Sequence, residues 1–320
     1  MSTADDPVPE PKAPTDRSRL ARYAWLSIAA ALITITLKGA AWHLTGSVGL
    51  LSDAAESLVN LVAAVVALWA LTVAARPADD VHHFGHSKAE YFSAAIEGQM
   101  ILVAAFLIMW PAVDRLLHPQ ALENVGIGLV ISVVASVVNG AVAFVLLRAG
   151  RRYRSSALTA DAHHLLTDVW TSAGVVAGVL LVGLTGWSPL DPLLAIAVGI
   201  NIVFTGWRLL RDSIAGLMDQ TWATEENTEL ASLLARFEAP DVQFHGLRTR
   251  RAGHHRFAEV HVLVPGAWSV QRGHDVVEDI EEAVRAELDD VTVMCHLEPL
   301  EDPRSYGDFA AEVPVAREQD

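Results

Sequence analysis

Two apolar stretches of this sequence carry the same polar template, and the chemistry open to the chain starts there. Asp53-Ala-Ala-Glu56-Ser-Leu-Val-Asn60 and Asp161-Ala-His-His164-Leu-Leu-Thr-Asp168 both place polar groups at i, i+3 and i+7. On a helix that spacing lines all three on one stripe. An ionisable group inside a bilayer costs roughly 2.5 to 3.5 kcal/mol on insertion scales, so such stripes should face a partner or a cavity. If the two stripes face each other, Glu56, Asn60, His164 and Asp168 supply three oxygens and one nitrogen around one point, with Asp53 and Asp161 as accessory polar groups. Four O/N donors suit a tetrahedral zinc ion. Three oxygens also make the site hard enough for iron(II), manganese, cobalt or cadmium, whereas soft copper(I) would want Cys or Met ligands.

The charges fit a dication. Ionised Glu56 and Asp168 carry two negative charges that a divalent ion neutralises, while Asn60 and His164 add none. Without the ion, two carboxylates in low dielectric and the nearby imidazole would take up protons. Metal binding would then expel those protons, and this competition is the physical basis of antiport. The plainer alternative is that the same residues only hydrogen-bond helices together.

The elements that must position these residues are membrane helices. With 52% hydrophobic and only 19% charged residues in 320, the chain is too apolar for a soluble protein. A span needs about 20 mainly apolar residues, and six such segments are predicted: 22–43, 48–74, 91–117, 125–147, 158–184 and 190–210. An even count puts both ends on one side. Arg76 in the link after the second span, Arg148, Arg151, Arg152 and Arg154 after the fourth, and Arg208 and Arg211 at the end of the sixth mark that side as cytoplasmic. The opposite links are short and poor in basic residues. Three further polar residues lie within spans. Lys38 is placed to snorkel outward, Glu97 to hydrogen-bond between helices or relay protons, and Asn139 has no assigned role.

Residues 1–20, with Pro7, Pro9, Pro11 and Pro14 among charges, read as a disordered arm without a signal-peptide core. The membrane domain covers 21–215. A small soluble domain follows over 221–300: helix 225–237, strands 242–250 and 257–264 joined by a turn containing Gly253, helix 269–288, and strand 291–297. That order gives a compact α+β layer. Residues 301–320 read as a disordered acidic tail. A net charge of −15 argues against nucleic acid as a partner. Cys295 is the only cysteine, which excludes an intramolecular disulfide and thiolate-rich metal sites. Its reading is a small buried hydrophobe.

The motifs together resemble the cation diffusion facilitator family of divalent metal/proton antiporters. They are Ser47-Val-Gly-Leu-Leu-Ser-Asp53 leading into Glu56-Ser-Leu-Val-Asn60, Asp79-Asp-Val-His82-His-Phe-Gly-His86-Ser-Lys88-Ala-Glu90, and Asp161 to Asp168. The likeness runs from about Leu26 to Pro299. It implies a six-helix transmembrane bundle with a C-terminal cytoplasmic α+β domain of ferredoxin-like, metallochaperone-like type, in the inner membrane with both termini cytoplasmic. It maps the transport site onto Glu56, Asn60, His164 and Asp168. Many zinc-exporting relatives have Asp at both second-span positions, so Glu56 and Asn60 depart from that pattern.

The resemblance further implies a loop metal site at Asp79, His82 and His86. It implies a cytoplasmic metal site at His245, His261, His274, His296 and Glu298, where relatives have Asp at the last position. Zinc, or another divalent transition metal, would thus be both substrate and regulatory ligand, with no organic cofactor. The implied partners are metal ions, protons, the lipid bilayer and a second copy of the chain. Lys88 and Asp219 would form a charge interlock holding that homodimer at the membrane surface. Two rivals stand beside an exporter. A membrane metalloenzyme would need a motif such as H-E-x-x-H, which the sequence lacks. A metal-binding sensor or scaffold without transport would need nothing more than the ligands.

Overall fold

The computed structural model describes residues 20–45, 48–118, 126–187, 189–307 and 311–315. The predicted N-terminal arm lies almost wholly outside the described residues. The chain divides into two compact units that meet in sequence at Leu217 and Met218.

The first unit is a bundle of six helices: α1 (Ala21–Thr45), α2 (Val48–Ala74), α3 (Ala89–Leu117), α4 (Gly126–Tyr153), α5 (Ser156–Thr185) and α6 (Leu190–Leu217). Among the described residues, four helical stretches are long and apolar enough to cross a membrane: Ala21–Ala40, Ala89–Leu117, Val133–Tyr153 and Pro192–Leu217. In α2 the apolar stretch Asn60–Ala74 is shorter. The bundle is inverted relative to a soluble protein. Trp25, Ile33, Val62, Trp69, Phe106, Trp110, Phe144 and Phe204 are exposed, while alanines such as Ala63, Ala67, Ala94 and Ala162 are buried. Large apolar side chains facing out and small ones facing in suit a lipid solvent, where helices associate by close packing instead of by hydrophobic burial.

Two features place α5. It packs against α2, α3, α4 and α6. Its N-terminus is fixed by Ser155, whose Oγ accepts from the Leu158 N–H at 3.3 Å and donates to Glu90 Oε2 of α3 at 2.5 Å. A hydroxyl cap backed by a carboxylate satisfies orphan amides and complements the positive end of the helix. α3 and α6 approach each other through glycine. A Cβ added to Gly98 would meet the Leu210 backbone nitrogen at 3.1 Å, and one added to Gly206 would meet the Gly98 carbonyl oxygen at 3.2 Å.

The second unit runs α7 (Thr224–Ala235), β1 (Gln243–Ala252), β2 (His255–Val264), α8 (Val270–Glu287) and β3 (Val291–Pro299). This is the predicted helix, strand, strand, helix, strand order, and the sheet order is β1-β2-β3. β1 and β2 form an antiparallel hairpin, and α8 carries the chain across so that β3 lies parallel to β2. Gly253 turns the hairpin at φ +63°, a conformation glycine adopts at little steric cost. Leu230, Leu233 and Leu234 of α7, Leu247, Val260 and Val262 of the strands, and Ile280 and Val284 of α8 form its core.

Part of the tail departs from the expected disorder. Pro303–Tyr306 forms a turn of 3-10 helix capped by Asp302. The Val313 N–H donates to Leu247 O at 2.7 Å, and Val313 and Val315 pack on the core. The pairing between β1 and β2 shifts register between His245 and Arg248. Glu312 and Val313 take up two backbone groups at that irregularity, the Gly246 N–H (2.7 Å to Glu312 Oε2) and the Leu247 carbonyl. Unpaired groups on an edge strand invite such a partner.

Candidate metal centres

In the membrane unit, three helices bring polar groups to one carboxylate. Asp168 of α5 is buried, and its Oδ2 accepts from Asn60 Nδ2 of α2 and from Asn139 Nδ2 of α4, the latter at 2.9 Å. His164, one turn earlier on α5 and 3% exposed, makes no hydrogen bond from either ring nitrogen among the described residues. The same holds for Asn139 Oδ1. Buried polar atoms left without partners cost about 1–3 kcal/mol each and ask for an explanation such as an ion. A neutral imidazole always has one acceptor nitrogen to offer. Asn60 and Asp168 therefore meet, with the Asn60 amide a donor to the carboxylate. The side chains of Asp53 and Glu56 lie outside the described residues. Asp161 is buried and accepts from Ser27 Oγ of α1 at 3.0 Å, tying α1 to α5.

Three polar residues behave differently from expectation. Lys38 does not snorkel, being 2% exposed. Glu97 bonds within its own helix, accepting from Ser93 Oγ at 2.9 Å, and has no hydrogen bond to a neighbouring helix among the described residues. Asn139, left without a role in the sequence, belongs to the Asp168 cluster. Its only signal was a carboxamide alone in an apolar span, where a buried amide must find a partner.

In the link between α2 and α3, the ligand atoms of Asp79, His82 and His86 all lie within 4.8 Å of one another. The segment is not helical. Asp79 Oδ1 accepts from the Val81 and His82 N–H groups at 3.0 and 2.7 Å, an Asx-turn that folds His82 back over the carboxylate. His86 Nε2 lies 3.4 Å from Asp79 Oδ2, and the two imidazole rings are 4.3 Å apart. The His82 and Val81 backbone donors hold the Asp79 carboxyl below the usual carboxylate range. It therefore stays charged, and ready for a cation, to more acidic pH than a free aspartate.

In the second unit the sheet register builds the cluster. His245 pairs with His261 across β1 and β2, and His261 pairs with His296 across β2 and β3. The three rings stand in a row, 4.9 and 5.0 Å apart. Glu298, two residues beyond His296 and so on the same face, reaches His261 Nδ1 at 2.9 Å and His245 Nε2 at 3.2 Å through Oε2. Its Oε1 is 3.5 Å from His296 Nε2. Ligand atoms of His245, His261 and Glu298 all lie within 4.8 Å of each other. Two imidazoles and a carboxylate at this spacing fit a divalent transition metal. His296 lies at the rim with a largely exposed side chain, and His274, on α8 beside Glu278 at 3.9 Å, is outside the trio.

Lys88 donates to the Leu217 carbonyl at 3.3 Å, and Asp219 pairs with Arg250 at 3.2 Å. Cys295 packs on the core of its unit, and burial, with the charge of Glu281 second, pushes its thiol up to about 12. In the absence of a metal ion it stays protonated at neutral pH.

The model of the cation efflux transmembrane domain matches residues 24–218, and that of the cation efflux protein cytoplasmic domain matches residues 223–300. The chain belongs to the cation diffusion facilitator family. Among the relatives of this cation diffusion facilitator, an uncharacterised transporter of Synechocystis sp. is 52% identical over 94% of this chain and 99% of its own length. The cation-efflux pump FieF of Shewanella oneidensis is 31% identical over 86% of this chain and 92% of its own. FieF of Escherichia coli O127:H6 is 29% identical over 88% and 93%. Membership makes the chain a secondary transporter of cations, and not an enzyme, in a multi-pass membrane setting.

Proposed function

We propose that this chain exports divalent transition-metal ions in exchange for protons, zinc foremost, with iron(II), cadmium, cobalt and manganese as further cargo. It does so by alternating access as a homodimer of six-span protomers in the inner membrane, with both termini in the cytoplasm. The single observation that carries the reading is the joining of Asn60 on α2 to Asp168 on α5 beside the buried imidazole of His164, which has no hydrogen-bond partner among the described residues. Two helices that share an ion can exchange it from one side of the membrane to the other by rocking. A carboxylate and an imidazole are also groups for which a metal ion and a proton compete.

The residues would act in sequence. Cytoplasmic metal enters between α2 and α5, the Asn60 amide turns its oxygen inward, and Glu56, His164 and Asp168 complete the set. Two carboxylates neutralise the dication, so the loaded site crosses the low-dielectric interior without net charge. Protons from outside then take the His164 nitrogen and the carboxylates, and the ion leaves. Asp79, His82 and His86 form a cation-attracting cluster on the cytoplasmic link. His245, His261 and Glu298, with His296 at their edge, would bind a regulatory ion in the second unit. The Lys88 and Asp219 positions would brace the dimer at the membrane surface; the worth of such a pair is about 0–1 kcal/mol if exposed.

Proteoliposomes test this. With an imposed pH gradient, zinc, iron(II), manganese, cobalt and cadmium fluxes are followed for the native chain and for Asp168→Ala. Flux in the native chain that falls to background in the variant, with metal still bound by the second unit, is the expected result. Binding without flux for every ion would instead make the chain a sensor or scaffold.

A further inference from the structure

Asn139 is held where a ligand would be. Its Nδ2 donates to Asp168 Oδ2 at 2.9 Å, which anchors one end of the carboxamide on the carboxylate that would bind cargo. The other end, Oδ1, is then within a carboxamide's width of the same carboxylate. It is buried in a side chain 1% exposed and has no hydrogen-bond partner among the described residues. A donor-only requirement of Asp168 would be met by Asn60 alone. The second amide brings an additional hard acceptor into a space where both nitrogens of His164 also lack hydrogen-bond partners among the described residues.

We propose that Asn139 is a fifth donor of the transport site, its Oδ1 binding the cargo ion while its Nδ2 fixes the reach of Asp168. This rests on the reading of the α2–α5 cluster as the transport site. Three helices then hold the ion, with four oxygens from Glu56, Asn60, Asn139 and Asp168 and one nitrogen from His164. Zinc is content with four donors in a tetrahedron. Manganese(II) and iron(II) take five or six donors and favour oxygen. Asn139 therefore widens the cargo beyond zinc, and it contributes no charge, so the loaded site stays neutral.

The test uses the full-length chain with the two other clusters disabled by His82→Ala and His261→Ala. Cobalt(II) loaded into this background reports coordination number through its visible absorption, weak for five or six donors and intense for a tetrahedron. With Asn139 present the bands are expected to be weak. Asn139→Leu, similar in size but without polar atoms, should give intense tetrahedral bands, and Asn139→Asp, which keeps an oxygen, should not. In proteoliposomes, the ratio of manganese to zinc flux should drop roughly tenfold in Asn139→Leu, the cost of about one metal-oxygen contact of 1.4 kcal/mol. If Asn139→Leu does not purify as a monodisperse species, Asn139→Ala is read in the same way. Unchanged bands and an unchanged flux ratio, with Asp168→Ala still abolishing flux, would overturn the role of Asn139 and leave the transport reading standing. Absence of all flux in the native chain would overturn the transport reading, while the cobalt spectra would still decide whether Asn139 is a ligand.

Discussion

A carboxylate buried in a membrane bundle survives there by being surrounded with donors, and Asp168 takes two carboxamide N–H groups onto one oxygen. Replacing it with Asn keeps the shape and removes the charge, so Asp168→Asn is expected to cut metal flux at least as far as background while leaving the chain able to fold. Size-exclusion profile and flux together check this. At the other end of the polarity scale, the thiol of Cys295, pushed up to about 12 by burial, should resist alkylation. A free cysteine has a pKa near 8.5, so at pH 9 iodoacetamide would label such a thiol readily. Native protein should label at under about one-tenth of the denatured rate, and comparable rates would place the thiol at the surface. The meeting of Asn60 with Asp168 was legible because polar groups repeated at i, i+3 and i+7 in two apolar helices must find partners away from lipid. Asn139 was not, since one amide without a periodic companion says only that it needs a partner. The burial of Lys38 was not legible, because a long side chain near a helix end can turn either way and only packing decides which.

The helices of the membrane unit were legible from hydropathy, and those of the second unit from the switch between 3.6-residue and 2-residue periods. What could not be read was how closely the elements approach. α3 and α6 touch backbone to backbone at Gly98 and Gly206, with 3.1 and 3.2 Å left for any Cβ. Neither Leu210 N nor Gly98 O can move aside as a flexible side chain would. Gly206→Leu should therefore destabilise the bundle by about 1–3 kcal/mol, in the range of overpacking changes. The temperature at which the purified chain loses its monodisperse peak checks this, and no shift relative to an exposed control such as Phe204→Leu would contradict the packing. In the second unit, alternation placed Glu298 on the face of His296. The row His245, His261, His296 depends on strand pairing, which sequence pattern alone does not set. The tail was read as disordered from its charge. Val313 and Val315 nevertheless find apolar cover, and a bulged edge strand supplies hydrogen bonds that composition cannot announce.

At the scale of the whole molecule, the proposed export reading asks one chain for two kinds of metal chemistry. The buried set in the membrane unit would hold an ion that must leave again, and the half-exposed histidine–carboxylate clusters in the α2–α3 link and the second unit could hold ions without moving them. Membership of the cation diffusion facilitator family joins the two into one transporter. The central claim is that α2 and α5 close on a single dication, and locating that ion tests it most directly. Anomalous diffraction at the zinc edge from crystals of the zinc-loaded chain should show one peak per protomer within ligand distance of a His164 nitrogen and Asp168 Oδ1 or Oδ2, lost in Asp168→Ala. Zinc peaks at the cytoplasmic histidines with none beside His164 and Asp168 would contradict the account.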